Sequence, residues 1–593
     1  MAIERLFDLL PHYSATFKPK DDVLAFKEDG VWKTINIDKY RRTVDLLSYG
    51  LIAIGVKKGD VIATIMNNRP EWNYLDFAIM HVGAIHVPIY PTISKADYQY
   101  IFNHASVRYV FVTGDDQVKK IKEVVPSCAS VEEIFTIKGK NGERNLNDLL
   151  TLGEKMPVPE VVEAIKSGIG TNDLATIIYT SGTTGNPKGV MLSHANIISN
   201  FTAVSYIPTF GEEGRALSFL PLCHVYERML NYMYHYLGVS IYYAESLATI
   251  SENIREVCPD IMCCVPRLLE KIYDKIINTG RKLKGIKRMI FFWSVNLADK
   301  YDVNGHNNTW YMMQHKLADK LIFAKWREAL GGRFKIIVSG GASIQPKLVR
   351  TFRAAGLPIY EGYGLTETSP VVAVTSTDEN GIKVGTVGPP LRGVDVRIAD
   401  DGEILARGPG IMMGYYKDPE LTNHVIDADG WFHTGDVGVF EPEGQLRITG
   451  RKKEIFKTSL GKYIAPELIE NRVKESAFID NIMVVGENEK FAAALIVPDF
   501  NHLRSWCSIK GHVYTTDSEM VNNPIIRQRL SRVIDEKNAQ FGNAEQIKKF
   551  DVISTEWSVS TGELTPTLKL KRAFINEKYK NNIEKLFAGN NKN

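Results

Sequence analysis

The chain has 593 residues, 44% of them hydrophobic and 24% charged, a balance that describes a globular protein long enough for more than one domain. Its formal net charge of +3 is too mild to argue for a nucleic-acid partner, and no Lys/Arg block dominates the chain. Six scattered cysteines, Cys128, Cys223, Cys258, Cys263, Cys264 and Cys507, form neither a paired framework nor a zinc-spaced set with His, so reduced thiols in a cytoplasmic setting are expected.

In chain order, the opening stretch MAIERLFDLLPHYSATFKPKDD is interrupted by charge, which argues against a signal peptide. No segment reaches the roughly 18 apolar residues needed to span a bilayer. From about 40 to 115, DVIATIMN predicts a strand, WNYLDFAIMHVGAI a helix and YVFVT a further strand, the rhythm of βαβ units. Residues 175–179 then predict a buried strand, being apolar, β-branched and bounded by turn formers.

That strand runs into the loop of TIIYTSGTTGNPKGV (176–190), which is built to hold phosphate. Gly182, Gly185 and Gly189 let the backbone approach a ligand. The hydroxyls of Thr180, Ser181, Thr183 and Thr184 and the ammonium of Lys188 supply donors. The Walker loop places Ser or Thr directly after its lysine, whereas Gly189 follows Lys188, so the P-loop reading loses its main support. A helix is expected to begin near Ser193 and His194.

SIYYAE, DIMCCVP and FKIIVSGGA continue the strand rhythm and place glycine turns at strand ends, where α/β sheets bind ligands. Between 281 and 330 lies a helical, basic and aromatic insert, for which an amphipathic packing helix is the leading reading and membrane-surface contact the other. From about 383 to 450, short strands and turns (VDVRIADDGEILARG, VGVFEPEGQLRITG) predict a mostly β subdomain. After Arg451 a smaller α+β region follows, with a hairpin in VVGENEKFAAALIVP.

Four motifs taken together carry a resemblance: YTSGTTGNPKGVMLSH (179–194), YEGYGLTET (360–368), GWFHTGDVG (430–438) and GRKKEIFKTSLGKYIAPELIE (450–470). In this order they resemble the signature of the adenylate-forming enzymes, the superfamily of acyl-CoA synthetases, luciferases and peptide-synthetase adenylation domains. The resemblance covers effectively the whole chain. It implies a large N-terminal α/β domain (1–450, with the β subdomain inside it) and a smaller, mobile α+β C-terminal domain (451–593).

The resemblance also implies site residues. Thr180 to Thr184 and Lys188 suit the β- and γ-phosphates of ATP, and Thr366 adds an oxygen donor. Glu367 is the implied ligand for Mg²⁺, which favours hard carboxylate oxygens alongside retained water. Tyr363 is expected to stack on adenine, while Ser339, Gly340, Gly341 and Ala342 line the base. Asp436 is the implied acceptor for the ribose hydroxyls, with Arg451 near the same sugar or the α-phosphate. Lys453 is implied as the hinge. Gly461 and Lys462 are implied as the face presented to CoA, where a missing side chain lets pantetheine pass.

The adenylation lysine is expected in LTPTLKLKRAF as Lys569, with Lys571 as the fallback; the motif's usual glycine is replaced by Leu568. His224, in LPLCHVYER, resembles the position beside the acyl carbonyl, where it orders the carboxylate and need not remove a proton, because the acid is already ionised near pH 7. An acyl pocket is sought near 232–238. The insert after PRLLEKIY, the LPLCHVYER form and the long C-terminal region resemble long-chain fatty acyl-CoA synthetases, which implies a long-chain fatty acid, ATP and CoA as substrates. A fatty acyl-AMP ligase that loads a carrier protein, and a catalytically silent nucleotide-binding scaffold, are the alternatives. Chain-length preference, monomer against homodimer, and peripheral contact at the inner face of a membrane stay open on the residues alone.

Overall fold

The computed structural model describes residues 2–139, 143–180, 186–246, 248–376, 382–565 and 568–588. Two large sheets organise the N-terminal part. One has eight strands and is mostly parallel; it runs from Val371–Val374 at one edge through Ile359–Gly364, Ile336–Ser339 and Ile261–Cys264, and ends at Val31–Ile35. The other has seven strands, with Ile85–Pro88, Val61–Ile65 and Val107–Val112 parallel at its centre. The central strand Val61–Ile65 is buried at every position, as its unbroken apolar run demands for a strand covered on both faces.

Helices Pro70–His81 and Val225–Leu237 contribute to one continuous apolar core with both sheets: Ile62 and Ile178 come from the seven-stranded sheet, Ile241 and Val338 from the eight-stranded sheet, and Phe77 and Met229 from the helices. The expected β subdomain appears as a four-stranded antiparallel sheet, Asp395–Ile398, Glu403–Arg407, Phe432–Phe440 and Leu446–Arg451. The C-terminal part has its own core, drawn solely from residues between Phe456 and Leu586. Its three-stranded sheet includes the expected hairpin, Ile479–Val485 against Ala492–Pro498.

The phosphate loop is framed differently from the strand-then-helix reading. A strand, Lys188–Ser193, pairs antiparallel with Leu174–Thr180 before the helix His194–Val204 begins, so Thr180 and Lys188 face each other across the ladder. The run KGVMLS opens on Lys-Gly and closes on Ser, so it shows neither an alternating pattern nor a longer apolar run in the sequence. The helix starts where expected, with the Ser193 hydroxyl accepting from the Asn196 backbone N–H.

A charged cluster lies inside the main core. Arg228 pairs with Asp76, both fully buried, and Tyr232 donates its hydroxyl to the same carboxylate. Arg228 also donates to Thr176 Oγ1 at 2.7 Å. His86 Nδ1 lies 2.6 Å from Asp76, while its Nε2 lies 2.7 Å from Thr64 Oγ1. A carboxylate only accepts, so Nδ1 carries the proton and Nε2 accepts from the threonine. Burial pushes the Asp76 carboxyl upward, but Arg228, His86 and Tyr232 together hold it below its ordinary value. Burial also pulls His86 down and keeps it neutral. Tyr232, in the segment where an acyl pocket was sought, is thus committed to a structural network. Arg228→Met is expected to cost about 3–5 kcal/mol by leaving a buried carboxylate unpaired, read from the denaturant midpoint of the N-terminal transition; a loss under about 1 kcal/mol would contradict an ionised Asp76.

Candidate active site

The motif residues converge on the strand ends. Tyr363, on Ile359–Gly364, donates its hydroxyl to Asp436 Oδ2 at 2.8 Å. Asp436, on Phe432–Phe440, is buried, and its other oxygen meets Arg451 Nε at 3.2 Å. Burial raises the Asp436 carboxyl, opposed by Arg451, Tyr363 and Lys569. The turn after Ile336–Ser339 leaves Gly341 and Ala342 exposed, while Ser339 Oγ is buried with no hydrogen-bond partner among the described residues. Gly340 packs against Tyr226, whose ring would lie 3.1 Å from an added Cβ.

Thr366 and Glu367 sit on a tight turn, Thr366–Thr368. Gly364 just before it admits no side chain, because a Cβ there would lie 1.9 Å from the Pro370 carbonyl oxygen. Asn200, buried on the helix His194–Val204, pins the far side of the turn: it donates to the Val371 carbonyl at 2.8 Å and accepts from the Val371 N–H at 3.1 Å. Glu367 Oε1 accepts from the Tyr415 hydroxyl at 2.9 Å, and Lys188 Nζ lies 5.3 Å from the centre of the same tyrosine ring. Burial pushes the Glu367 carboxyl upward. Tyr415 and Asn200 were missed by sequence reasoning; the only signal for either was a short GYY run and one polar residue on an apolar helix face. Ser181, Gly182, Thr183 and Thr184 lie outside the described residues.

His224 caps the helix Val225–Leu237, its Nδ1 accepting from the Tyr226 N–H at 3.2 Å. Nδ1 is therefore unprotonated and Nε2 carries the hydrogen. Burial, then the nearby Lys569 charge, pull His224 down to about 4, so it is neutral at pH 7.

Lys569 reaches this cleft from the C-terminal part, close enough to Arg451, Asp436, Glu467 and Glu454 for each to act on it. Desolvation and then Arg451 pull it down to about 8, although much of its surface still meets the solvent of the cleft. Lys571 lies elsewhere, with its ammonium 5.8 Å from the Phe574 ring centre. The segment is fastened by Arg572, which donates to Glu454 Oε2 at 2.8 Å and to Glu470 Oε1 and Oε2 at 2.9 and 2.6 Å.

Further contacts join the two parts. Ser343 donates to Glu467 at 2.9 Å, Arg267 pairs with Asp480, and Arg281 meets His502 at 2.8 Å. Between them runs a cleft of about 1480 Å³, bordered by Arg267, Lys271, Arg281, Ala342 and Leu568. Lys453 lies in an exposed turn beyond Arg451. Gly461 and Lys462 sit at the exposed tip between Phe456–Lys457 and Tyr463–Ile464, and the structure does not bring them to the cluster around Asp436.

Comparison with known proteins accounts for this assembly. The AMP-binding enzyme family model matches residues 13–416, and the AMP-binding enzyme C-terminal domain model matches residues 453–591. The chain belongs to the AMP-binding enzyme family. A long-chain-fatty-acid–CoA ligase of Mycobacterium bovis is 34% identical over 564 residues, covering 94% of this chain and 93% of that one. Long-chain-fatty-acid–CoA ligase 6 of Homo sapiens is 32% identical over 564 residues, covering 89% and 78%. Among solved structures, the adenylation domain of a carboxylate reductase from Mycobacterium chelonae shares the fold, with a TM-score of 0.77 at 20% identity over 98% of this chain and 91% of that one.

One departure from the family's motif has a measurable cost. Leu568, where the motif usually has glycine, adopts φ +61°. A side chain in this left-handed region costs about 1–2 kcal/mol. Leu568→Gly is therefore expected to stabilise the C-terminal unit by about 1 kcal/mol or slightly less, after the extra chain entropy of glycine; a lowered thermal midpoint would contradict the strain.

Proposed function

We propose that this chain is a long-chain-fatty-acid–CoA ligase that activates its acid as an acyl-adenylate and passes the acyl group to CoA. The observation that carries the reading is the arrival of Lys569, from a separately cored unit, among Tyr363, Asp436, Arg451 and His224. A carboxylate oxygen attacks the α-phosphorus of ATP, a new P–O bond forms, and the bond to the β-phosphate breaks with loss of pyrophosphate. Two anions must be brought together for that step, so fixed positive charge and donors are what the protein has to supply.

In this reading Lys569 and Arg451 offset charge at the α-phosphate. Lys188, Thr180 and the hydroxyls of the following loop hold the departing pyrophosphate, with Thr366 adding a donor. Asp436 accepts from the ribose hydroxyls, Tyr363 stacks on adenine, and the turn from Ser339 to Ala342 lines the base. His224 donates from Nε2 to a carboxylate oxygen of the acid, a role that a neutral imidazole with a committed Nδ1 can fill.

The donor set around Glu367 fits Mg²⁺. Burial raises its carboxyl against the pull of Tyr415, Lys188 and Arg451, so a cation there would be welcome, and no cluster of three or more metal-binding side chains is present among the described residues. A cation that keeps its waters and takes phosphate oxygens needs no more. When bound, Mg²⁺ would neutralise phosphate charge and orient the triphosphate.

In the second half-reaction the CoA thiol attacks the adenylate carbonyl, the C–O bond to AMP breaks, and the thiol proton passes to solvent. No protein nucleophile is needed, in keeping with Cys223, Cys263 and Cys264 being buried with their thiols pushed upward. We assign residues 451–593 as the mobile unit turning near Lys453, which would bring the now distant Gly461 and Lys462 to the CoA channel.

Purified protein with palmitate, ATP, Mg²⁺ and CoA is expected to release pyrophosphate and palmitoyl-CoA. No pyrophosphate across a panel of acids would sink the reading, and pyrophosphate without free acyl-CoA would favour a carrier-loading ligase. The two half-reactions separate the assignments further. Lys569→Ala is expected to lower adenylation by about 100-fold or more while conversion of supplied acyl-AMP plus CoA survives. Gly461→Leu is expected to do the reverse. Equal loss of both half-reactions in either variant would refute its assignment.

A further inference from the structure

The two parts of the chain share no apolar core among the described residues. Beyond the turn at 451–454, what joins them is polar and centres on one helix of the N-terminal part. Pro266–Lys282 packs Leu269 into a core of that part and carries Arg267, Glu270, Asp274 and Arg281 along a single stripe, at i, i+3, i+7 and i+14. All four border the large cleft.

Glu270 is the hub of the stripe. Its Oε2 accepts from Arg267 Nη1 at 3.1 Å and its Oε1 from Gln345 Nε2 at 3.3 Å. Each of these donors has a second partner on the C-terminal part: Arg267 reaches the Asp480 carboxylate through Nη2, and Gln345 donates to the Lys474 carbonyl at 3.3 Å. Asp480 lies on the strand Ile479–Val485, and Lys474 caps the helix Pro466–Val473, which also carries Glu470, a carboxylate held by Arg572 three residues from Lys569. The side chains of Arg267, Glu270 and Asp480 are only 26, 12 and 18% exposed, so this group escapes most of the screening that weakens surface ion pairs. Not every charge favours the contact. Asp274 lies near Arg267, Glu270 and Arg281 of its own helix and near Asp499 of the C-terminal part; burial, and then Asp499, push its carboxyl up to about 6. The pose is held by a balance and is not locked.

We propose that Arg267, Glu270 and Gln345 form the latch that holds the C-terminal part in the pose placing Lys569 in the cleft, and that this latch opens before the domain presents another face. Arg267 and Glu270 are then positioning residues: they act on the reaction through Lys569, along the path Asp480 and Lys474, Glu470, Arg572. The inference rests on the adenylation reading and deepens it, by naming the group that sets the balance between the two half-reactions.

The two half-reactions of the full chain test it. Arg267→Gln on one side of the contact and Asp480→Asn on the other are each expected to lower adenylation roughly tenfold, the worth of one charged hydrogen bond, while conversion of supplied acyl-AMP plus CoA is unchanged or faster. Because both act through a single contact, the double variant should lose no more than either single one. All three should keep the unfolding midpoints of both parts. Adenylation that stays within about twofold of wild type, equal loss of both half-reactions, or losses that add in the double variant would each overturn the latch. Energy transfer between dyes on Met156→Cys and Val513→Cys, both more than half exposed on the two parts, reads the pose without turnover. The two single variants and the double are expected to shift its distribution by the same amount, and an unshifted distribution would also overturn the latch. That measurement needs no reaction, so failure of the ligase reading shows separately.

Discussion

The fully buried pair Arg228–Asp76 is the constraint on which the site rests. It joins the helix Pro70–His81 to the helix Val225–Leu237 and, through Thr176, to the strand that leads into the phosphate loop. Two ions inside a core are costly unless each is fully satisfied, and here Tyr232 and His86 complete the carboxylate's shell. Partners in such a network can occupy few other positions. The N-terminus of Val225–Leu237, with His224 as its cap, is therefore set in register with Thr180 at the end of the neighbouring strand. A site assembled from loops gains its precision from that rigid junction behind them.

Around that frame the loops are held by single polar side chains. Asn200 fixes the Thr366–Thr368 turn, Tyr415 bridges Glu367 and Lys188, and Arg572 holds the segment that carries Lys569. Each acts through a group it orients, and each satisfies backbone or carboxylate atoms that would otherwise be left unpaired in a partly dry cleft.

Much of the architecture was legible in the sequence because it is written in local pattern. Val61–Ile65, Val107–Val112, Ile336–Ser339 and the hairpin around 484–498 follow from apolar runs and turn residues that need no knowledge of distant partners. The motifs were legible for a similar reason: glycine at 364, beside the Thr366-Glu367 pair, marks a place where no side chain fits. What was not legible depends on contacts across long stretches of chain. The strand Lys188–Ser193 opens on Lys-Gly and has only three consecutive apolar residues to mark it, Tyr232 resembles a pocket-lining aromatic until Asp76 is placed beside it, and Tyr415 has only a short GYY run to mark it. Leu568 stood out as a departure from a motif, but only the backbone angle shows its cost.

The double grip of Arg572 on Glu454 and Glu470 couples two things that could have been separate. Glu454 lies in the turn just past Arg451, and Glu470 lies on the first helix of the C-terminal unit. The segment bearing Lys569 is thereby bolted to the base of its own domain, three residues from the bolt. Any rotation at 452–454 moves the ammonium as the tip of a stiff lever with little slack. In the proposed domain swing, withdrawal of the lysine and displacement of the domain would then be one motion, and the cleft would lose the proposed adenylation charge whenever the domain presented another face.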